Sequence, residues 1–339
     1  MMRMAASLVP NLELEALAAK EDTVLCSVVS DDFAAGFIVM ERSLRHHNPD
    51  WTFPIIAVHS SIKPVSELTK AVIREHCDNV HFATTNDIAM APIYEYAHDV
   101  IGTPERLFPA FALLEVLRWK FFKRVIAIDS DVIIRGSLDP LLYSPAPLAA
   151  CRATHSETNA PMNFVNTGVM VLNSSLLRGF EFHRVREFLG DRIPRPGTGK
   201  ADQAILNILM HNVSLGYLPS RFNYTKRALY LDLEARGCSE PTTDDIEALL
   251  DDEDVRILHY VGEKPWNPKV RHREERYEAL DVLWHRAAED HGRASLFQLL
   301  EMQRRAWQNR YTESVRRAQK KRPTSSRSFE RLVATNMGL

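Results

Sequence analysis

The stretch RVIAIDSDVIIRGSLDPLL, residues 124–142, decides how the chain is read. Arg124–Asp129 is a short apolar run that leads straight into acidic residues, which predicts a buried strand delivering carboxylates at its end. Asp129 and Asp131, one residue apart on chain leaving a strand, can both turn toward one cation. Hard oxygen ligands of this kind suit Mn2+ or Mg2+, and the pair is expected at the solvent end of the strand rather than in the core. The bare pattern is not specific, because Asp252-Glu253-Asp254 also matches it. That second pair lies in a polar acidic run with no strand before it, where a solvated helix or loop is expected.

Working outward, short apolar runs alternate with helical patterns. Thr23–Ser30 and Phe53–His59 read as strands, as does the shorter Val80–Ala83. Phe33–His46, Pro64–His76 and Leu107–Lys120 read as helices. This alternation predicts an α/β sheet whose ligands gather at the carboxyl ends of its strands. Beyond Asp139-Pro140 the pattern is less regular. Leu148–Arg152, Gly168–Asn173, Val213–Leu218 and Arg256–Tyr260 read as strands, and Glu181–Leu189 and Asp202–Met210 as helices. Arg192–Lys200 is a loop rich in proline and glycine. Its ending Gly197-Thr198-Gly199-Lys200 is not a phosphate loop, since Pro194 stands in place of the first glycine and Ala201 in place of Ser or Thr.

The chain has 339 residues, 45% hydrophobic and 25% charged, with a formal net charge of −2. Those values are ordinary for a folded globular protein with a sizeable core. No nucleic-acid partner is expected. Residues 303–339 hold ten Arg and Lys against two Glu; this leaves 32 basic and 42 acidic residues in 1–302, a net −10. A basic tail therefore follows an acidic body. Cys26, Cys77, Cys151 and Cys238 are far apart, Cys26 and Cys151 within apolar runs, which fits a reducing compartment better than a disulfide framework. Glu13 and Glu15 interrupt the only apolar stretch near the start, and no run is long enough to span a bilayer. A cytoplasmic location is expected.

Five blocks in order give a more specific reading. RVIAIDSDVIIRGSLDPLL (124–142), NFVNTGVMVLN (163–173), ADQAILN (201–207), LPSRFNY (218–224) and HYVGEKPW (259–266) resemble the motifs of glycosyltransferase family 8. These are retaining GT-A enzymes that include bacterial lipopolysaccharide galactosyltransferases and glycogenin. The last block is one residue shorter than the family's between glycine and lysine. The resemblance spans roughly residues 23–266. It implies a GT-A fold, with a Rossmann-like nucleotide-sugar-binding sheet. It also divides the chain into an N-terminal extension (1–20), a catalytic domain (21–266) and a helical, basic C-terminal region (267–339).

The resemblance implies a metal-dependent hexosyltransferase that takes a nucleotide sugar, most simply a UDP-sugar, and transfers it with retention to a glycan, glycolipid or other acceptor. Asp129, Asp131 and His259 form an O,O,N set suited to Mn2+. Gly262 would let backbone approach the diphosphate, and Lys264 would supply a point charge. Ser30, Asp31, Phe33 and Ser130 are implied on the nucleotide side, with Asp31 accepting from the base and Phe33 stacking on it. A helix-core Phe33 and a helix-capping Asp31 are the competing readings. Asn166, Thr167 and Gly168 would line the donor sugar. Gln203 would stabilise oxocarbenium charge, and Asp202 would orient the sugar hydroxyls; these two are the implied catalytic residues.

One departure stands out. The family usually carries Lys or Arg on the helix before the D-x-D strand, and here Leu113 takes that place, with Arg106 and Arg118 as nearby substitutes. A catalytically impaired GT-A scaffold is therefore an alternative. A nucleotidyltransferase is another, although SDDFAAG (30–36) lacks the basic residues that would hold a triphosphate. Lys200 could meet an anionic acceptor. Residues 295–319 place Leu296, Leu299, Leu300, Trp307, Tyr311 and Val315 on one helical face flanked by arginines. Peripheral contact with the inner face of a membrane, packing on the catalytic domain and dimerisation are all compatible with that pattern.

Overall fold

A computed structural model describes residues 12–266 and 277–291. Seven strands form the central sheet: β1 (Thr23–Val28), β2 (Ile55–His59), β3 (Val80–Thr84), β4 (Arg124–Ile128), β6 (Leu148–Thr154), β7 (Pro161–Asn173) and β8 (Leu215–Leu218). Their order is β3-β2-β1-β4-β7-β6-β8. β1 runs parallel to β2 and β4, and β2 runs parallel to β3, whereas β7 is antiparallel to both β4 and β6. The α/β architecture expected from the sequence is therefore present, with a parallel half and a mixed half.

The strand sequences explain why the sheet is covered on both faces. In β1, Val24 and Cys26 join one apolar cluster with Ile56, Val58, Val125 and Ala127. Leu25 joins the opposite one with Ile55, Ala57, Ile126 and Ile128. Alternate residues of a strand point to opposite faces, so a continuous apolar run demands cover on both. All four cysteines are free thiols, three of them buried. Burial pushes the Cys26 and Cys151 thiols well up, which makes them inert core residues.

A second sheet of three short strands, β5 (Val132–Ile134), β9 (Tyr224–Thr225) and β10 (Ile257–His259), lies in the order β5-β10-β9. Helix Ala34–His47 holds β5 in place. Ser43 Oγ accepts from the Ile134 N–H at 3.0 Å, and just beyond the helix Asn48 Oδ1 accepts from the Leu138 N–H at 2.7 Å. Helix Glu278–His291 packs against the same helix and against Thr243–Asp252. Tyr260 Oη donates to the Leu280 carbonyl at 3.0 Å, and Trp284 is fully buried against Trp266.

Several elements differ from the sequence reading. Glu105–Arg118 winds as consecutive 3-10 turns rather than an α-helix. Pro109 inside it has no N–H to donate and disfavours α geometry at Phe108. Helix Glu67–His76 starts three residues after Pro64, capped by the Ser66 hydroxyl. β7 extends well before Gly168. A helix at Asp87–Tyr96, with Pro92 inside it and capped by Asn86, has no counterpart in the reading above. Asp252-Glu253-Asp254 ends a surface helix and pairs with Arg236, Arg221 and Arg256, away from any cation site. The basic helix expected at 295–319 lies outside the described residues. Among the described residues no helix is long and apolar enough to cross a membrane.

Candidate active site

The acidic pair sits where the two sheets meet. β4 ends at Ile128, the chain bends through Ser130, and it restarts as β5 in the smaller sheet. The Asp129 N–H donates to the Gly168 carbonyl at 2.8 Å, tying the bend to β7. β10 pairs antiparallel with β5, setting His259 opposite Val132, and the Tyr260 N–H donates to the Asp131 carbonyl at 2.9 Å. Three distant segments thereby converge. His259 Nε2 lies 3.2 Å from Asp131 Oδ1 and 3.6 Å from Asp129 Oδ2.

These three side chains offer ligand atoms within 4.8 Å of one another. Neighbouring ligands of a small octahedral cation with bonds of about 2.1 Å stand about 3 Å apart. The O,O,N donor set and its spacing therefore fit a divalent ion such as Mn2+ or Mg2+. The pair is not uniformly at the solvent end of the strand, as expected from the sequence. The Asp129 side chain is 32% exposed, but that of Asp131 is only 8% exposed, because Lys264 and His259 close over it. Lys264 donates to Asp131 Oδ2 and, at 2.7 Å, to the Tyr260 carbonyl. Oδ1 is left facing the imidazole.

Electrostatics separate the two carboxyls. Burial and the neighbouring Asp131 charge push Asp129 up to about 7, against the pull of His259. Burial would also raise Asp131, but the Lys264 ammonium and His259 outweigh it and hold that carboxyl well below the usual range. Burial disfavours a charged His259 ring, yet the two aspartates prevail and raise its pKa.

Gly168 makes room for the imidazole. A Cβ at this position would stand 2.5 Å from His259 Cε1 and 2.6 Å from Nδ1, so only glycine allows β7 to pass this close. On its far side His259 Nδ1 meets Asn223 Oδ1 at 2.7 Å. Asn223 Nδ2 donates to Asn166 Oδ1 at 2.7 Å, and that oxygen also accepts from the Gly168 N–H at 2.8 Å.

A cavity of about 990 Å³ opens over this cluster. Asp129, Asp131, His259, Asn166, Thr167, Asp202, Gln203, Gly262, Lys264 and Phe33 all line it. A recess of about 250 Å³ beside it adds Ser30, Ser130 and Leu113. Phe33 stands edge-on to Trp266, with ring centroids 5.9 Å apart, and Lys264 Nζ is 5.6 Å from its centroid. Trp266 plugs the wall, its Nε1 donating to the Asp32 carbonyl at 2.9 Å. Gly262 adopts the left-handed region at φ +80°, as a tight turn at the cavity edge requires. Asp31 does not line the cavity. Its Oδ1 accepts from the Ser66 N–H at 2.9 Å and from the Ser66 hydroxyl at 3.0 Å, and Asp32 lines the cavity instead.

Asp202 and Gln203 begin helix Asp202–Leu209, which Asn207 lashes to β7. Asn207 Nδ2 donates to the Val165 carbonyl at 2.9 Å, and its Oδ1 accepts from the Val165 N–H at 2.9 Å. Burial raises Asp202 to about 6, although hydrogen bonds from Thr167 and from its own and the Gln203 N–H oppose the shift. Gln203 Nε2 donates to the Thr198 carbonyl at 3.3 Å. A carbonyl only accepts, so this contact identifies the amide nitrogen and leaves Gln203 Oε1 as the other end.

The two candidate arginines sit in different places. Arg118 pairs with Glu115, and its guanidinium carbon lies 5.9 Å from the Phe182 ring centroid, away from the cavity. Arg106 lines both the cavity and the recess, as does Lys63, which pairs with Asp32 at 3.0 Å. Lys63, Asn207 and Asn223 were not singled out from the sequence. Asn207 ends the ADQAILN block and Asn223 is the last residue but one of LPSRFNY, and those positions are the signal that could have found them.

Comparison with known proteins bears on the fold and the family. Glycogenin of Neurospora crassa is 23% identical over 247 residues, which cover 73% of this chain and 31% of the relative. The chain thus spans about a third of that relative's length. The galactosyltransferase LgtC, solved in complex with donor and acceptor sugar analogs, superposes with a TM-score of 0.53 at 21% identity, covering 78% of this chain and 95% of LgtC. The glycosyltransferase GlyE of Streptococcus pneumoniae gives 0.51 at 17% identity, covering 83% and 62%. Both share the GT-A fold of this chain. The family described as glycosyl transferase family 8 matches residues 24–269, most of the chain, and the protein belongs to that family of glycosyltransferases.

Proposed function

We propose that the protein transfers a hexose from a UDP-sugar, with retention of configuration, to a carbohydrate or lipid-linked acceptor, in a reaction dependent on Mn2+ or Mg2+. The observation that carries this reading is the convergence of Asp129, Asp131 and His259 on the floor of a cavity large enough for a nucleotide sugar. Bound there, the divalent ion would neutralise charge growing on the diphosphate as the glycosidic bond breaks. Lys264 is within reach of the same leaving group. Phe33 offers an aromatic surface to the base beside Ser30 and Ser130, whereas Asp32 is better placed than Asp31 to meet nucleotide atoms.

Thr167, Asp202 and the free end of Gln203 line the donor-sugar side. The Oε1 of Gln203, left over once Nε2 is held by Thr198, is the atom suited to developing oxocarbenium charge. LgtC has been solved with an active-site glutamine changed to glutamate, which supports a glutamine in the site of this chain. Asp202 accepts from backbone N–H groups and Thr167, which suits it to orienting sugar hydroxyls. The arrangement favours transfer over a non-catalytic scaffold, because Arg106 brings a basic residue to the cavity despite Leu113.

We also propose the division into 1–20, 21–266 and 267–339, and a peripheral membrane contact through the basic C-terminal region at the cytoplasmic face. Sedimentation with anionic liposomes, comparing the full chain with one ending at residue 294, tests the membrane contact. For the enzymatic proposal, UDP-hexoses are screened for Mn2+-dependent UDP release and the product anomer is read by NMR. Retained configuration in a metal-dependent product supports the proposal. An inverted product, or no turnover with any nucleotide sugar, contradicts it. Intact mass after incubation with donor separates self-glycosylation from transfer to a free acceptor.

A further inference from the structure

We propose that Asn223 is a positioning residue that holds the His259 imidazole as the tautomer protonated on Nδ1, so that the Nε2 lone pair faces Asp129 and Asp131. This deepens the metal-dependent reading above and rests on it only for the consequence, not for the tautomer.

The argument starts from one group whose role cannot change. The Gly168 backbone N–H can only donate, and it reaches the Asn166 side chain at 2.8 Å, so the atom there is the amide oxygen. The same oxygen lies 2.7 Å from Asn223, and an oxygen accepts, so Asn223 presents its NH2. Its other end is then an oxygen, 2.7 Å from His259 Nδ1, and Nδ1 must carry the proton. Nε2 keeps its lone pair whenever the ring is neutral, 3.2 Å from Asp131 Oδ1.

The alternative tautomer gains a hydrogen bond from Nε2–H to Asp131 Oδ1 at 3.2 Å but leaves the two asparagines without a satisfactory arrangement. Turning Asn223 alone sets two amide oxygens face to face. Turning Asn166 as well leaves the Gly168 N–H opposed to an NH2 group. Each mismatch strands a buried polar group, which is costly. Water has little room to repair it, since Asn223 is 6% and His259 3% exposed. Strand pairing supports the geometry. β9 runs parallel to β10 with Thr225 opposite His259, so Asn223, two residues earlier, is delivered to the ring by the backbone. A ligating histidine characteristically has its second ring nitrogen engaged in this way, because the outer partner sets the ring's orientation and raises its basicity.

The full-length chain, 15N-labelled at histidine and free of metal, is examined by long-range 1H–15N NMR at a pH where His259 is neutral, with His259→Gln assigning the signals. Mn2+ binding is measured in parallel by calorimetry. The wild-type ring is expected in the Nδ1–H form. Asn223→Ala should populate the Nε2–H form and raise the Mn2+ Kd by about tenfold to a hundredfold. Asn223→Asp, one oxygen of which can accept the same proton although the other then opposes Asn166 Oδ1, should keep the Nδ1–H form in the folded protein. An Nε2–H ring in the wild type, or unchanged Mn2+ affinity in folded Asn223→Ala, overturns the proposal. Should the alanine variant not fold, the wild-type spectrum and the aspartate variant carry the test. An Nδ1–H ring in a chain that binds no Mn2+ supports the hydrogen-bond relay and overturns the metal reading instead.

Discussion

Arg106 and Leu113 line the same recess beside Asp129 and Ser130, and among the described residues the Arg106 guanidinium makes no hydrogen bond or ion pair. A positive charge thus reaches the recess from the first turn of Glu105–Arg118 rather than from position 113. Arg106→Ala is expected to raise the KM for a UDP-sugar about tenfold, the scale of one charge-assisted hydrogen bond. Adding Leu113→Arg to that variant should recover much of the loss. Steady-state kinetics with donor varied decide the matter, and an unchanged KM in Arg106→Ala removes Arg106 from the donor site.

Gly168→Ala tests the close approach of β7 to His259. The new methyl would stand 2.5 Å from the ring, so either the strand or the imidazole must move. A loss of about 1–3 kcal/mol in stability is expected from such overpacking, together with weakened Mn2+ binding. Chemical denaturation and calorimetry on the same sample read both effects. Wild-type behaviour in both would show that the backbone at 168 has slack.

Gln203→Ala should lower kcat by about a hundredfold with little change in donor KM, if its oxygen acts mainly on charge that develops in the transition state. A large rise in KM with kcat preserved would make it a ground-state contact. Thr198 lies in the loop whose carbonyl holds Gln203, so shortening that loop should produce a milder version of the same loss.

Glu115 gives a pH signature outside the cavity. Burial raises its carboxyl from 4.5 to about 7, although Arg118 and the Asn86 N–H oppose the shift. The unfolded chain therefore ionises first as pH rises, and stability falls between about 4.5 and 7, by at most about 3 kcal/mol from this group. Glu115→Gln should flatten that part of the profile. Equal pH slopes for the two proteins, measured by denaturation from pH 4.5 to 8, would contradict the shift.

The parts of the site that could be read from sequence are those carried by local pattern. The run Arg124–Asp131 announces itself as a strand followed by ligands because its apolar residues are contiguous and its carboxylates are not. Period and punctuation likewise place Ala34–His47 and Asp202–Leu209 within a few residues. What could not be read depends on side chains meeting across the fold. Whether Arg106 or Arg118 faces the cavity turns on the path of Glu105–Arg118, which Pro109 diverts into 3-10 turns. Asp31 and Asp32 are adjacent, and only the position of Ser66 decides that the first is taken up by that serine. From sequence Lys264 reads only as a point charge for phosphate, and the contact its ammonium makes with Asp131 joins segments 133 residues apart.

That contact shapes the most direct test of the cation site. Removing Asp131 would strand the Lys264 ammonium in a buried position and confuse folding with function. Asp129, with its side chain a third exposed, is the better residue to change. UDP release from the preferred UDP-hexose is measured for the wild type and Asp129→Asn, in excess chelator and after Mn2+ is added back. The account predicts no release in chelator, full recovery with Mn2+ for the wild type, and at least a hundredfold slower release for the folded variant under the same conditions, on the order of losing one principal source of transition-state charge stabilisation. Undiminished release in chelator, or a variant as fast as wild type, would contradict it.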